Sequence, residues 1–441
     1  MAEKELATLQ QRAFFDEVYN TNILVTQLER EVVDAEVFAR LKKIHQLGLA
    51  YLIYPGANHC RFEHCLGTMY LAGKVAKTLG LSKDDAQYFR LAALLHDVGH
   101  GPFSHAFEEY LKERKKIRGH EDLTKWVILN SEIKDIIGDC GFDLKKIAEL
   151  SVGKIRDKKL SFLNSLILGV IDVDKMDFLV RDAYFTKSRC GEIDVNELAS
   201  SVKKVNEGKV AWSYQCLSSL ETFFQCKKDM YMSVYYSKKV RAIDIMIKAM
   251  LKFSDEEIDW GGFKEIETFN LLTDFYVLGK MQEMSQMTSI SDEMSIAVRL
   301  YKDLLRKNLI KNVFETIYFT QYPPRKDFLI NKEEILNRLI DYLNVDKPLV
   351  FVDVLNFSPG SVMSFTKTDG ANVYLLRNGD VMSAMDAKES LKQLLSAFCQ
   401  VIRIYTASEY AKKLREKKNI LEKVAENLFW ERRWLVKHNP L

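Results

Sequence analysis

The sequence predicts a mainly α protein, with a large all-helical core and a smaller C-terminal α+β region. Three observations carry this. Apolar residues recur every three or four positions through most of the first 320 residues, as on one buried helix face. Only 20 glycines and 7 prolines are spread over 441 residues, too few for an all-β fold rich in tight turns. Past Tyr322-Pro-Pro-Arg325 the pattern changes to short β-branched runs separated by helical stretches. A chain of 441 residues is too long for one simple core. We expect an N-terminal segment at 1–32, the helical core at 33–253, a helical extension at 254–325, and the α+β region with a helical tail at 326–441.

Taken in order, Val33, Val37, Leu41 and Ile44 share one helical face and predict a helix over 33–47. Similar periodicity covers 64–79 and 84–97, the latter opening after the capping neighbourhood Ser82-Lys-Asp-Asp85. A helix restarts over 104–114 after Gly101-Pro102, with Ser104 as its cap. Further helices are expected over 120–129, 161–171 and 218–253, and a brief strand at Gly208-Lys-Val-Ala-Trp212. Beyond the break, strands are expected at 349–355, 373–376 and 401–405, the second followed by the turn Asn378-Gly379. Helices at 333–343 and 387–398 lie between them, and 408–434 reads as a charged helical tail.

Charge and cysteine usage exclude several classes. A net charge of +3 gives no general attraction to nucleic acid. The basic run at 112–118 reads as a solvated helix end. Seven cysteines without CxxC spacing read as reduced, mostly buried thiols. No apolar signal core follows Met1, and no stretch approaches the ~20 apolar residues of a membrane span, so a soluble cytoplasmic protein is expected.

The chemistry concentrates in one region. Of eight histidines, six fall between His59 and His120. His96 and Asp97 are adjacent at the end of the apolar stretch Leu91-Ala-Ala-Leu-Leu-His-Asp, just before Val-Gly-His-Gly-Pro. Imidazole and carboxylate are both good donors to a divalent cation. Neighbours on a regular helix point about 100° apart and do not easily face one ion; a helix terminus relaxes that restriction. Any one of these histidines alone is better read as a capping or core residue. The set, with the adjacent Asp and the Gly-Pro break, predicts a metal or phosphate site.

Three phrases then carry a resemblance: Tyr54-Pro-Gly-Ala-Asn-His-Cys-Arg-Phe-Glu-His-Cys-Leu-Gly67, His96-Asp-Val-Gly-His-Gly-Pro-Phe-Ser-His105, and Ile171-Asp-Val-Asp-Lys-Met-Asp177. The chain resembles the HD-domain phosphohydrolases, specifically the deoxynucleoside triphosphate triphosphohydrolases. The likeness runs over 33–251 and more weakly to about 414. No separate sterile-alpha-motif domain is expected ahead of it.

The resemblance implies metal ligands at His64, His96, Asp97 and Asp174, for a cation such as Fe, Mn, Zn or Ni, with Mg possible on the nucleotide phosphates. It implies catalytic roles for His100, His105 and His120. Glu108, one helical turn after His105, is placed to hold that imidazole, and Glu121 to hold His120. Arg61, Lys175 and Lys228 would meet the triphosphate, Lys228 standing where relatives usually carry arginine. The sugar pocket would use Gln46, Leu47, Phe178, Asp182 and Tyr236, the last packing against C2′ to reject a 2′-hydroxyl. Relatives usually carry tyrosine at the Phe178 position and glutamine at Ser237. Asp34 and Lys42 correspond to positions of an activating-nucleotide site at a subunit interface, and a homodimer or homotetramer is implied.

The activity so implied is attack of a metal-activated water on the α-phosphate of a dNTP, releasing deoxynucleoside and tripolyphosphate. The rivals are another HD-type nucleotide phosphohydrolase, acting on phosphomonoesters or phosphodiesters, and a catalytically quiet nucleotide sensor.

Overall fold

The helical periodicity is realised in helices that wrap two hydrophobic cores. The computed structural model describes residues 13–114, 119–188, 190, 193–205, 208–321, 332–333, 335–336, 350–361, 373–417 and 419. The chain starts with a hairpin, β1 (Ala13–Asp16) paired antiparallel to β2 (Thr21–Leu24). Helices α1 (Gln27–Asp34) and α2 (Glu36–Ala39) follow, then α3 (Arg61–Thr78), α4 (Lys83–Leu95), α5 (His105–Arg114), α6 (His120–Asn130), α7 (Ile133–Asp139) and α8 (Leu144–Ser151). Next come α9 (Asn164–Ile167), α10 (Val173–Thr186), α11 (Val195–Ser201), the strands β3 (Val202–Lys204) and β4 (Val210–Ser213), α12 (Leu217–Met230) and α13 (Lys238–Ser254). The extension holds α14 (Ile266–Leu271), α15 (Asp274–Met284) and α16 (Asp292–Leu305).

Side-chain caps explain several starts. Ser82 Oγ accepts from Asp85 N at 3.2 Å to open α4. Thr26 and Glu29 form a reciprocal capping box on α1. Asp172 Oδ1 accepts from Lys175 N at 2.7 Å to open α10. Ser104 plays a different part from the expected cap: its hydroxyl accepts from Arg61 and donates to the His45 carbonyl.

α3 lies between the two cores. Cys65, Leu66 and Met69 face one core with Phe38, Leu95, Tyr110, Met250 and Trp260. Leu71, Ala72 and Val75 face the other with Phe89, Leu179, Phe223 and Phe224. His64 is thereby held at 0% exposure in the middle of the fold.

Three expected helices are broken. Over 33–47, Ala35 is extended (φ −59°, ψ 139°), a 3-10 turn covers Arg40–Lys43, and Ile44 is extended again. Val33, Val37, Leu41 and Ile44 are all buried as expected. The chain leaves the helix because Gln46 N donates to His59 O and Arg61 N to Ile44 O. Over 161–171 only a 3-10 turn and α9 form, and the Gly169 N–H donates to Asp172 Oδ2. Over 218–253 a π-turn at Tyr231–Tyr235 ends the first helix, and Ser237 caps a second.

A strand also interrupts the stretch expected to be a helical extension. β5 (Lys311–Thr320) is rich in Val, Ile, Thr and aromatics, residues that fit a pleated surface. It pairs with β9 (Phe398–Thr406), which pairs on its other side with β6 (Val350–Phe357), all antiparallel. β9 is the middle strand and is buried along its whole length. β7 (Tyr374–Arg377) and β8 (Asp380–Ser383) turn at Asn378 and Gly379, with φ of 52° and 94°. This hairpin leaves the β5-β9-β6 sheet and adds to the core strands in the order β3-β4-β7-β8. Short helices α17 (Ala384–Ala387) and α18 (Glu389–Ser396) precede β9, and α19 (Ser408–Glu416) follows it. Most of the helix expected at 333–343, and the tail beyond 419, lie outside the described residues.

Cys190 and Cys226 form a disulfide with Cα atoms 5.0 Å apart, so the expectation of wholly reduced thiols is corrected. They are 36 residues apart, and only the packing of the α10–α11 connection on α12 brings them together. The other five cysteines are free, four of them buried. Among the described residues no helix is long and apolar enough to cross a membrane.

Candidate metal centre

Four donor side chains from three segments converge. His64 lies in the first turn of α3, His96 caps the C-terminus of α4, Asp97 follows, and Asp174 lies in the first turn of α10. His64 Nε2 is 3.3 Å from His96 Nε2 and 3.1 Å from Asp174 Oδ1. Asp97 flanks this trio, with Oδ1 3.4 Å from His96 Nε2 and Oδ2 3.6 Å from His64 Nε2, and also belongs to a second donor group with His100 and His120. The helix stops at Leu95, and the turns Val98 N to Leu95 O and His100 N to Asp97 O let both members of the His-Asp pair face one point.

Each ring is committed from behind. His64 Nδ1 is 2.8 Å from Asp177 Oδ2, and His96 Nδ1 is 2.8 Å from Ala93 O. A hydrogen on Nδ1 leaves the Nε2 lone pair of each ring aimed at the centre, as cation ligation requires. The electrostatics agree. Burial lowers the His64 pKa, but Asp174, Asp177 and Asp97 outweigh it and lift it to about 10. Burial raises the carboxyls of Asp97 and Asp174, but the neighbouring histidines, joined at Asp97 by Arg61, outweigh it and hold both well below the usual range. The centre concentrates negative charge and asks for a cation. Two imidazoles and two carboxylates fit a divalent metal.

The three aspartates of Ile171-Asp-Val-Asp-Lys-Met-Asp177 separate by role. Asp172 caps α10 and pairs with Lys175 Nζ at 2.7 Å. Asp174 faces the centre. Asp177 sits behind His64 and is itself held by Arg181 Nε at 2.8 Å, Arg181 Nη2 at 2.9 Å and the Tyr19 hydroxyl at 2.7 Å. Arg181 also donates to Asp16 at 2.7 Å, so the N-terminal hairpin braces the metal ligand through Asp177. Gly67 makes this approach possible: a Cβ there would lie 1.9 Å from Asp177 Oδ1 and 2.4 Å from Arg181 Nη2. Asp177 and its braces were not singled out from the sequence, since nothing local separates it from Asp172.

A second group lies against the first. His100 Nε2 is 3.3 Å from Asp97 Oδ1, and its ring stacks on His120 at 4.1 Å. Glu108 Oε2 is 3.4 Å from His105 Nδ1 and 3.2 Å from His120 Nδ1, so one carboxylate serves two histidines. Burial lowers the His120 pKa, but Glu108 outweighs it and raises it; burial, Arg61 and His120 push His100 well down. Glu121, expected beside His120, pairs with Lys154 instead. Arg61 donates Nη1 to Asp97 and Nε to Ser104 Oγ.

Of the two adjacent lysines on α12, Lys227 is the buried one, at 2% exposure, with Lys228 half-buried beside it. Burial first, then Lys175, pulls the Lys227 pKa down to about 7. Its ammonium donates to Pro359 O at 3.0 Å and Ser361 O at 2.9 Å. Lys227, rather than Lys228, thus shares the field of Lys175, Asp172 and Asp174. Lys238 and Arg241 are engaged with Glu315 and Asp353.

The expected sugar-pocket residues are partly brought together. Asp182 Oδ1 is 2.8 Å from His59 Nε2, and its Oδ2 accepts from the Tyr235 hydroxyl at 2.6 Å. Phe178 packs edge-on to Tyr235 at 6.2 Å, and Leu47 is half-buried against the same core. Gln46 Oε1 is buried with no hydrogen-bond partner among the described residues. Tyr236 points elsewhere, donating to Asn356 O at 2.9 Å within the cluster under the β5-β9-β6 sheet. Of the two tyrosines, Tyr235 is the one that reaches Asp182. The π-turn sets which of two consecutive tyrosines reaches Asp182, and periodicity alone does not foresee that turn. His59 was noticed only as one of the histidine run. Asp34 is exposed and paired with Arg30 at 2.7 Å, and Lys42 lies over the Phe62 ring at 4.5 Å.

Comparison with known proteins follows the same map. The HD-domain family model matches residues 61–179, from Arg61 through the α10 aspartates. An uncharacterized protein of Methanocaldococcus jannaschii is 30% identical over 90% of this chain and 79% of its own length. A deoxynucleoside triphosphate triphosphohydrolase SAMHD1 homolog of Dictyostelium discoideum is 29% identical over 69% of this chain and 60% of its own length. The crystal structure of a hypothetical protein from Aquifex aeolicus superposes with a TM-score of 0.75 at 27% identity, covering 92% of this chain and 99% of that one. With its His64, His96, Asp97 and Asp174 side chains converging inside the matched stretch, the chain belongs to the HD-domain phosphohydrolases.

Proposed function

We propose that the protein hydrolyses deoxynucleoside triphosphates to deoxynucleoside and inorganic tripolyphosphate. One observation carries the reading: Asp174, Phe178 and Asp182 recur at four-residue intervals on α10 and share a face. The metal-ligand end and the sugar end are then on the order of 12 Å apart along the helix axis. A deoxyribose and its 5′-phosphate bridge that span when side chains reach from both ends.

In this reading His64, His96, Asp97 and Asp174 hold a divalent cation of the Fe, Mn, Zn or Ni type, with Mg accompanying the phosphates. When bound, it supplies Lewis acidity and lowers the pKa of a water. The chain's own residues do the rest. Arg61, Lys175 and Lys227 neutralise the triphosphate. His100 beside Asp97, and His105 and His120, poised by Glu108, handle protons at the reacting phosphate; as the Pα–O5′ bond breaks, one of them protonates O5′. Gln46 and Asp182 receive the 3′-hydroxyl, Leu47 and Phe178 pack on the sugar, and Tyr235 crowds C2′ so that a ribose is refused. The SAMHD1 homolog of Dictyostelium supports this substrate class through its name. Asp34 and Lys42 enter as contacts for an activating nucleotide through the sequence resemblance alone.

A product-resolved assay across dNTPs and NTPs tests the reading. Deoxynucleoside plus tripolyphosphate is expected. Monophosphate plus pyrophosphate, or orthophosphate alone, would sink the regiochemistry. His96→Ala and Asp97→Ala should each abolish turnover, and retained activity in either would refute the site.

A further inference from the structure

The corner between α14 and α15 lies well beyond the matched residues 61–179, yet it grips both sides of the proposed nucleotide site. Its key residue is Asp274, at 1% exposure. Asp274 Oδ2 accepts from His45 N at 2.9 Å and lies 2.8 Å from His45 Nδ1. Its other oxygen, Oδ1, accepts from Phe103 N at 2.7 Å. His45 directly precedes Gln46 and Leu47, the sugar-facing pair. Phe103 lies in the loop between His100 and His105. One carboxylate therefore ties the two walls together.

The loop needs such a tie. Phe103 and Ser104 both have left-handed φ values, 55° and 54°, consecutively and without glycine. Each such residue costs roughly 1 kcal/mol or more and persists only where its surroundings hold it. The two walls also touch directly: Ser104 Oγ donates to His45 O at 3.1 Å, and Arg61 Nε donates to that same hydroxyl at 2.9 Å. Arg40 repeats the grip from below, donating to Leu272 O at 3.0 Å in the corner and to Val98 O and His100 O, both at 2.8 Å, in the loop.

A plain alternative is that Asp274 only stabilises the N-terminus of α15. That need is already met by Thr273, whose hydroxyl accepts from Tyr276 N at 3.2 Å. Both Asp274 oxygens are turned to His45 and Phe103 instead.

We propose that Asp274 is a positioning residue: it sets the spacing between the sugar-facing segment 45–47 and the histidine loop 100–105. The proposal rests on the dNTP reading of those two walls. Asn is the informative replacement. It keeps the size, but its NH₂ must face one of the two donors that the carboxylate accepts, so one side of the tie is lost.

The test compares full-length protein and Asp274→Asn. Bound metal per chain should be unchanged, because no metal ligand touches Asp274. With a dNTP, kcat should fall about 10–100-fold, the scale expected when reacting groups are displaced by about 1 Å, and KM should rise. Amide exchange should accelerate together in peptides 44–48 and 98–105. A lower melting temperature with kcat and KM intact would overturn the proposal, leaving a purely structural role. If Asp274→Asn does not fold, His45→Leu, which removes only the ring contact, carries the test: KM should rise at constant metal content, and unchanged kcat and KM would overturn it. If the unaltered protein hydrolyses no dNTP, the functional reading fails separately. Amide exchange then decides the tie: coupled loss of protection in both peptides supports it, and loss in one or neither overturns it.

Discussion

His64 is gripped from both ends: its Nδ1 is 2.8 Å from Asp177 and its Nε2 is 3.1 Å from Asp174. One carboxylate fixes the ring and the other shares its target. Removing the rear partner of a ligating histidine typically costs about 10–100-fold in metal affinity. Asp177→Asn should therefore weaken metal retention on that scale, read by chelator competition, while His64 itself remains in place. Unchanged affinity would mean that Asp177 serves only to join α3 to α10.

Gly67 tests the same brace sterically. A methyl group there would lie 1.9 Å from Asp177 Oδ1 and 2.4 Å from Arg181 Nη2, both buried and neither free to yield. Gly67→Ala should cost at least the roughly 1–3 kcal/mol typical of overpacking, and should release metal at temperatures where the fold survives. Thermal unfolding with metal quantification would show both effects. Wild-type values for both would remove the close approach from the account.

The two adjacent tyrosines should behave differently. Tyr235→Phe removes a 2.6 Å bond to the Asp182 carboxylate and should raise KM for dNTP, a bond to a charged group being worth roughly 1.5–3 kcal/mol. Tyr236→Phe removes a bond to Asn356 O and should lower stability without altering the choice between dNTP and NTP. Equal effects on KM from both changes would place the sugar wall elsewhere.

Glu108 should govern a pH limb. It raises the His120 pKa against the effect of burial, so the protonated ring persists to higher pH. If protonated His120 serves the reaction, Glu108→Gln lets the ring lose its proton sooner, and the alkaline limb of kcat/KM moves to lower pH. The stability effect has a matching sign: what Glu108 contributes through a raised histidine pKa is fully present below the unfolded value near 6.5 and fades as pH rises through the folded value. A pH–rate profile that does not move would exclude His120 as the titrating group.

Lys227 should take up a proton when nucleotide binds. Burial holds its pKa at about 7, so much of it is neutral at pH 8, and an arriving triphosphate restores the charge. Calorimetry in buffers of different ionisation enthalpy should register proton uptake between pH 7 and 9, and Lys227→Met should abolish it. In the free protein the penalty of burying the ammonium is fully present below pH ~7 and is relieved as pH rises toward the unfolded value near 10.4. Equal uptake in wild type and Lys227→Met would point to another group.

The helical class and the C-terminal strands were legible in the sequence, where His96 and Asp97 were nominated by their chemistry and His64 and Asp174 through the family resemblance. Helix faces follow a local apolar period, and the Asn378-Gly379 turn has a local backbone requirement that its φ values of 52° and 94° meet. The β5 strand was not legible against its helical surroundings, because its pairing partner β9 lies some ninety residues away in the chain. The break at Ile44 was hidden for a similar reason: the bonds that take the chain out of the helix there come from His59 and Arg61.

His96 and Asp97 are adjacent in sequence, and donor chemistry with a helix end was enough to nominate them. Local order says nothing about what stands behind a side chain. Asp177 rather than Asp172 behind His64, Tyr235 rather than Tyr236 on Asp182, Lys227 rather than Lys228 in the field of Lys175 and Asp174, and the Cys190–Cys226 bond were decided only when α10, α12 and the π-turn packed together. The physical reason is that residue type and periodicity specify which groups can ligate or be buried. Which of two neighbouring groups does so depends on rotations of a few tens of degrees that only long-range packing sets.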